Sequence, residues 1–406
     1  MSQLDDWVRK RKGHLTNCLR YLQTKLQQEC PPQIYQLILD KIDLINDHSR
    51  KIDDISRLIE RMPLLVGEPS VVSNLCASFY NQIFSRLQEI EAIIGVLDDI
   101  WSDYIAFENF SKRFSDLSHI FSKLSDEISV PLGPHFSMIL PGNSFGYLLF
   151  PNVSRNLFRI FVPISAIENP YVWPIMAHEI GHAFSFFPAV EERIKAECGP
   201  LISQRLRSVR ERTQRSREDF ADIEYILSRS WYQWFSEIWA DLFALRRVGP
   251  CFIDSEMLEL MAFDPFSLSI EPMGHLFTSS HPPPDLRIKI LIRYSTQWFS
   301  NMRNHVSTCQ DLWNEMISNR TSPTLEEHRE SFDLLCDSQL LQSMEHKAVD
   351  LLSQLIPLQE MPSSPFETVM NTRPINVTGA LSSLLCEGRI HGHFVEEITK
   401  EIKLAT

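Results

Sequence analysis

The chain has 406 residues, of which 44% are hydrophobic and 22% charged, and a formal net charge of −13. That length and balance suit a globular protein of two or three domains and exclude a disordered or membrane-embedded composition. The acidic excess argues against a surface built to coat nucleic acid, so no nucleic-acid partner is expected. The opening MSQLDDWVRKRKGHL lacks the apolar core of a secretory signal, and no run approaches the roughly 18 uncharged apolar residues of a spanning helix. Eight cysteines, at 18, 30, 76, 198, 251, 309, 336 and 386, stand singly without a C-x-x-C pair. Reduced thiols and a cytoplasmic location are the expectation.

Residues 1–130 are helical by period. Ile38, Ile45, Ile52 and Ile59 recur every seven residues, Ile42, Ile55 and Met62 fill the adjacent track, and Pro63 is expected to stop the helix. A longer stripe follows, from Phe79 and Ile83 through Ile90, Ile94, Leu97, Trp101 and Tyr104 to Phe121 and Ile128. Two successive steps of three at Tyr104 predict a break there. Antiparallel long helices forming a bundle or coiled-coil hairpin result, their stripes serving as mutual core or as an arm for a protein partner.

Near residue 131 the period changes. Prolines and glycines punctuate the short runs HFSMIL, YLLF and LFRIFVPIS, which predict a small antiparallel sheet between 136 and 165. From about residue 170 the pattern is mostly helical to the end, with breaks near Pro357 and at MPSSP. The expected domains are 1–130, 131–300 and 301–406, and the fold class is mainly α with this small sheet (α+β).

The chemistry begins at MAHEIGHAF. His178 and His182 lie four apart, so a helix presents both imidazoles on one face, where they can hold one Zn²⁺. Glu179 beside the first ligand is placed to take a proton from water during attack on a carbonyl. Asn169-Pro170 or Trp173-Pro174 supplies the helix start, and Pro188 the stop.

A third ligand is found in WYQWFSEIWADLFALRR, a helix ended by Gly249-Pro250. Glu237 and Asp241 share one face of this tryptophan-rich helix, and buried carboxylates need a metal, a cation or donors. Glu237 is the candidate ligand, and Asp241, one turn on, the candidate to orient a ligating histidine through its second ring nitrogen. In SSHPPPDLRIKIL, three prolines hold His281 on a stiff segment, and Arg287 follows on the next helix. Both are candidates to stabilise an oxyanion.

The series HEIGH, SEIWADLFA and SSHPPPDLRI resembles the gluzincin metallopeptidases, most closely the branch containing the HtpX heat-shock proteases and the CAAX prenyl endopeptidases. The resemblance covers residues 135–295 and implies a zincin-like core with one zinc ion per chain. It assigns His178, His182 and Glu237 as zinc ligands, Glu179 as general base, Asp241 as a supporting residue, and His281 and Arg287 as active-site residues. The implied activity is that of a soluble zinc endopeptidase acting on a protein or peptide, its helical flanks selecting substrate or restraining activity. In zincin folds a strand before the active helix pairs with substrate, and LFRIFVPIS or its neighbour is the expected edge. The other reading is a non-catalytic helical scaffold or regulatory binding protein that keeps a structural zinc site.

Two lesser signals remain. Six arginines, at 205, 207, 210, 212, 215 and 217, read first as a solvated helix face and otherwise as a contact for an acidic peptide or nucleic acid, or as a lid between the two zinc motifs. His391-Gly392-His393 lacks the acidic or cysteine neighbours that would complete a second metal site.

Overall fold

The structure is a computed structural model that describes residues 3–66, 68–126, 135–150, 154–167, 172–213, 217–260, 270–273, 276–318 and 335–355. It is mainly helical, with a small three-stranded sheet. The chain divides into two compact units. The first takes Met1–Arg113, Pro134–Leu140 and Leu148–Arg159; the second takes the described residues of Phe114–Gly133, Pro141–Tyr147 and Ile160–Thr406. The described C-terminal helices are grouped with the second unit.

Helices α1 (Gln3–Glu29), α2 (Pro32–Leu65) and α3 (Pro69–Arg113) pack on one another in the first unit. The connections between them are very short, as in up-and-down bundles. The isoleucine stripe of α2 is its buried face: Ile38, Ile42, Ile45, Ile52 and Ile59 all join the core. Helix α1 adds Val8, Leu15, Leu19, Leu22 and Leu26, so the assembly is a three-helix bundle and not a two-helix hairpin. Polar ties cross it too, with Trp101 Nε1 donating to Glu29 Oε2 at 2.8 Å and Lys25 lying over the Trp101 ring.

Two helix boundaries differ from the sequence expectation. Pro63 lies inside α2, which runs two residues further to Leu65. Close to a helix end a proline removes only one backbone bond, which fraying leaves weak in any case. Helix α3 passes through Tyr104 unbroken, and the interruption comes at Phe114, before α4 (Ser115–Asp126). A shortened step at Tyr104 turns the stripe around the helix, and Tyr104 itself is buried, so no break is required.

Strands β1 (Phe136–Gly142), β2 (Gly146–Phe150) and β3 (Ser154–Pro163) occupy the predicted interval, in the order β1-β3-β2. The sheet is mixed and not wholly antiparallel. Strand β3, which carries LFRIFVP, is central, so its backbone groups pair on both sides and it offers no edge. A second antiparallel ribbon, β4 (Ile270–Met273) with β5 (Leu276–Ser279), lies in a stretch that the sequence pattern marked as mostly helical and for which no strand was expected.

The second unit continues with α5 (Ile175–Ser185), α6 (Pro188–Thr213), α7 (Arg217–Val248), α8 (Cys251–Leu260), α9 (Pro284–Trp298), α10 (Arg303–Ile317) and α11 (Ser338–Leu355). Helix α7 is its axis. Trp231, Trp234, Phe235, Trp239 and Phe243 are all fully buried, and α5, α6, α8, α9 and α11 pack around it. Gly249, at φ 77°, takes the left-handed conformation that ends α7, as its position before Pro250 predicted. Among the described residues every cysteine is a free thiol, and no helix is long and apolar enough to cross a membrane. The His391-Gly392-His393 pair, the predicted breaks near Pro357 and at MPSSP, Pro170 and Cys386 lie outside the described residues.

Helices α8 and α10 are clamped by a polar trio. His305 Nε2 lies 2.8 Å from Asp254 Oδ2, and the Cys309 thiol donates to Asp254 Oδ1 at 3.4 Å. Burial alone would lower the His305 pKa, but the Asp254 carboxylate outweighs it and holds the imidazolium above its ordinary range. Because the folded value is the higher, the pair's contribution is complete below the unfolded value of about 6.5 and is lost as pH rises through the folded one. Denaturant unfolding of wild type and Asp254→Asn should therefore show a larger stability gap at pH 6 than at pH 9. A gap independent of pH would mean that His305 does not titrate in this window.

Candidate metal centre

Helix α5 begins at Ile175, directly after Pro174, and ends at Ser185, three residues before Pro188 opens α6. Both histidines of HEIGH are buried on the face that meets α7. The approach is close. A Cβ on Gly181 would lie 3.0 Å from Ala240 Cα and 3.1 Å from Phe243 Cδ1, and Trp239 Nε1 donates to Gly181 O at 3.0 Å. Glycine suits this position because any Cβ would press on the α7 backbone at Ala240 and on Phe243, which would have to give by a few tenths of an ångström.

This contact sets Glu237 opposite the two imidazoles. His178 Nε2 lies 3.5 Å from Glu237 Oε2, and His182 Nε2 lies 3.2 Å from Glu237 Oε1. The far nitrogens are held from behind, His178 Nδ1 at 2.9 Å from Asp241 Oδ1 and His182 Nδ1 at 3.0 Å from Ser236 Oγ. Tyr147, at the start of β2, stacks on the His182 ring with centroids 5.1 Å apart.

Arg287 reaches the same cluster from α9. Its Nε donates to Asp241 Oδ2 at 2.8 Å and its Nη2 to Asp241 Oδ1 at 2.6 Å, while Nη2 also lies 2.8 Å from Glu256 Oε1. Asp241 is only 1% exposed, so this bidentate pair is what compensates its burial. Nε and Nη2 are thus engaged by two acidic side chains, which makes Arg287 a positioning group for Asp241 at the wall of the cavity. His281 stands at the cavity, its side chain 50% exposed, with Nε2 3.4 Å from Glu237 Oε1 and Nδ1 2.8 Å from Ser280 Oγ.

The electrostatics are those of a cluster short of positive charge. Burial would lower the His178 pKa, yet the carboxylates of Asp241 and Glu237 hold it well above its usual range. Burial would raise Glu237, but His182, His178 and Arg287 carry it well below the usual carboxylate range. Glu179 is raised, by desolvation first, with the two flanking imidazoles opposing. Burial pushes Glu256 up to about 8 despite Arg287. The Tyr147 phenol is raised by burial and by the charges of Glu237 and Glu179, which keeps its proton on.

The donor set fits a zinc ion. Donor atoms of His178, His182 and Glu237 lie within 4.8 Å of one another, and Glu237 Oε2 is buried without a hydrogen-bond partner. Two nitrogens and one carboxylate oxygen, each histidine fixed from behind by an oxygen, are the ligands and supports zinc uses. No fourth side chain joins the trio among the described residues. Asp254, His305 and Cys309 also converge, but their donor atoms are already partnered among themselves.

No known protein family, characterised protein or solved structure matches the chain.

A cavity of about 1280 Å³ opens over the trio, lined by His178, Glu179, His182, Glu237, His281 and Arg287 together with residues that sequence reasoning did not single out. Those are chiefly Tyr147, Ser236, Glu256 and Glu259. Glu256 and Glu259 had a weak signal, as two of three carboxylates in the apolar run CFIDSEMLEL; Tyr147 had none, because only the sheet brings it to His182. Among the described residues, no arginine of the run lines the cavity. Only the first turns of α6, at Glu191, Ile194 and Lys195, line the cavity, and Arg205 instead pairs with Asp337 before α11.

The tightness at Gly181 yields a direct test. Gly181→Ala should force α5 away from α7, destabilise the fold by about 1–3 kcal/mol in urea unfolding, and lower the bound metal measured by elemental analysis. Unchanged stability and metal content would show that the α5–α7 spacing is not limiting.

Proposed function

We propose that this chain is a zinc-dependent endopeptidase of the gluzincin kind, hydrolysing peptide bonds of a protein or peptide substrate. The observation that carries the reading is Glu179: a carboxylate beside the three candidate ligands that coordinates nothing and lines an open cavity. A purely structural zinc site has no use for such a group and is closed by a fourth protein ligand.

Zinc at His178, His182 and Glu237 would supply Lewis acidity, acidifying a water and polarising a carbonyl. Glu179 accepts the water's proton at its carboxylate and returns it to the leaving amine, and burial, which raises its carboxyl, strengthens it as a base. His281, held at Nδ1 by Ser280, presents Nε2 as a donor to the developing oxyanion. Asp241 fixes the His178 ring, and Arg287 with Glu256 fixes Asp241. The edge strand β2, whose first residues line the cavity, is the strand available to pair with an extended substrate. The N-terminal helices serve substrate selection or restraint of activity, and the free thiols suit a reducing, cytoplasmic setting.

Zinc content and hydrolysis of a peptide library, measured on three proteins, test the reading. Wild type should bind one zinc per chain and cleave; Glu179→Gln should keep the zinc and lose at least ~100-fold in rate; His178→Ala should lose both. Metal-dependent cleavage surviving in Glu179→Gln would remove Glu179 as base. Zinc binding with no hydrolysis by wild type would favour the structural-zinc scaffold.

A further inference from the structure

Five glutamates line the cavity: Glu179, Glu191, Glu237, Glu256 and Glu259. Four are accounted for. Glu237 belongs to the metal trio and Glu179 is the proposed base; Glu256 lies 2.8 Å from Arg287 Nη2, and Glu191 accepts from Lys195 Nζ at 2.6 Å. Glu259 remains. Its Oε2 is buried and has no hydrogen-bond partner, and burial raises its carboxyl above the usual range. The two cations that line the cavity are committed elsewhere, Arg287 to Asp241 and Glu256, and Lys195 to Glu191.

A carboxylate desolvated without a partner destabilises the free protein, unlike the buried Asp241, which its neighbours compensate. Such a group is stabilised once a ligand brings the missing charge. Glu259 sits one helical turn beyond Glu256 on α8, facing the same cavity as the metal trio. The apolar wall offered by Tyr147, Phe186, Ile194, Phe235 and Leu260 can take an aliphatic stem leading to a charged end.

We propose that Glu259 forms a cation-recognising subsite, so that the substrates of this centre are peptides carrying an ammonium or guanidinium group beside the bond to be cut. The charge comes from a Lys or Arg side chain, as an endopeptidase requires, or from a free amino terminus, which would make the centre an aminopeptidase instead; the chemistry at Glu259 is the same. This rests on the peptidase reading but makes a separate claim about binding.

Calorimetric titration of the zinc-loaded Glu179→Gln chain, which binds without turnover, separates the two. The probes are one peptide with an internal lysine, its norleucine counterpart, and the Nα-acetylated form of each. The lysine or free-amine peptide should bind about tenfold or more tightly than its neutral counterpart, and Glu259→Gln added to this background should abolish the difference while Glu259→Asp retains part of it. Loss of the preference on acetylation alone would identify the amino terminus as the source, and its retention the side chain. Glu259→Gln should also raise the melting temperature of the free chain, because an unpaired buried charge is removed. Equal affinity for charged and neutral probes, a preference that survives Glu259→Gln, or no binding of any probe overturns the subsite. Charge-selective binding by a wild-type chain that cleaves nothing would leave the subsite standing and overturn the peptidase reading.

Discussion

Two carboxylates on one face of an otherwise apolar helix set the terms for the second unit. Glu237 and Asp241 project from α7 between fully buried tryptophans and phenylalanines, where an uncompensated charge would cost more than a domain can spare. Each compensating group comes from a different element. α5 supplies two imidazoles, α9 the guanidinium of Arg287, and α8 the further acid Glu256 that shares that guanidinium. The polar cluster and the packing of four helices are therefore one arrangement, and neither is satisfied without the other.

The steric counterpart is the contact at Gly181. Because α5 and α7 meet at a glycine, the histidines and Glu237 stand close enough for one ion to reach all three. Trp239 adds to this by donating to the Gly181 carbonyl, so the residue that fills the core also fixes the distance across the centre. Asp241 and Ser236 then hold the outer ring nitrogens, leaving each Nε2 directed at Glu237. Polar atoms left over in such an arrangement carry information. Glu237 Oε2 and Glu259 Oε2 are buried without a hydrogen-bond partner, and on them rest the proposed metal centre and the proposed subsite.

The first unit obeys simpler rules. Its helices are held by apolar stripes and a few polar ties, and local period was enough to place them. Where period misled, the cause was local as well. The short step at Tyr104 is absorbed by a helix that turns its buried face, and Pro63 costs little so close to a helix end. Strand order is another matter: that LFRIFVP is central depends on which strand pairs with which, a choice that alternation along the chain does not encode.

By itself the sequence determined the helical character of the chain, the interval of the small sheet, and the residues His178, Glu179, His182, Glu237 and Asp241. Each is legible because its cause is local: a four-residue spacing puts side chains on one helix face, and a carboxylate among tryptophans announces a need for compensation. Only the tertiary structure decided the rest. It committed Arg287 to Asp241 and Glu256, stacked Tyr147 on His182, made β2 and not β3 the edge beside the cavity, and left Glu259 without a partner. These outcomes turn on distances between segments far apart in the chain. Spacing within one helix fixes which groups face the same way, but only packing fixes which groups meet.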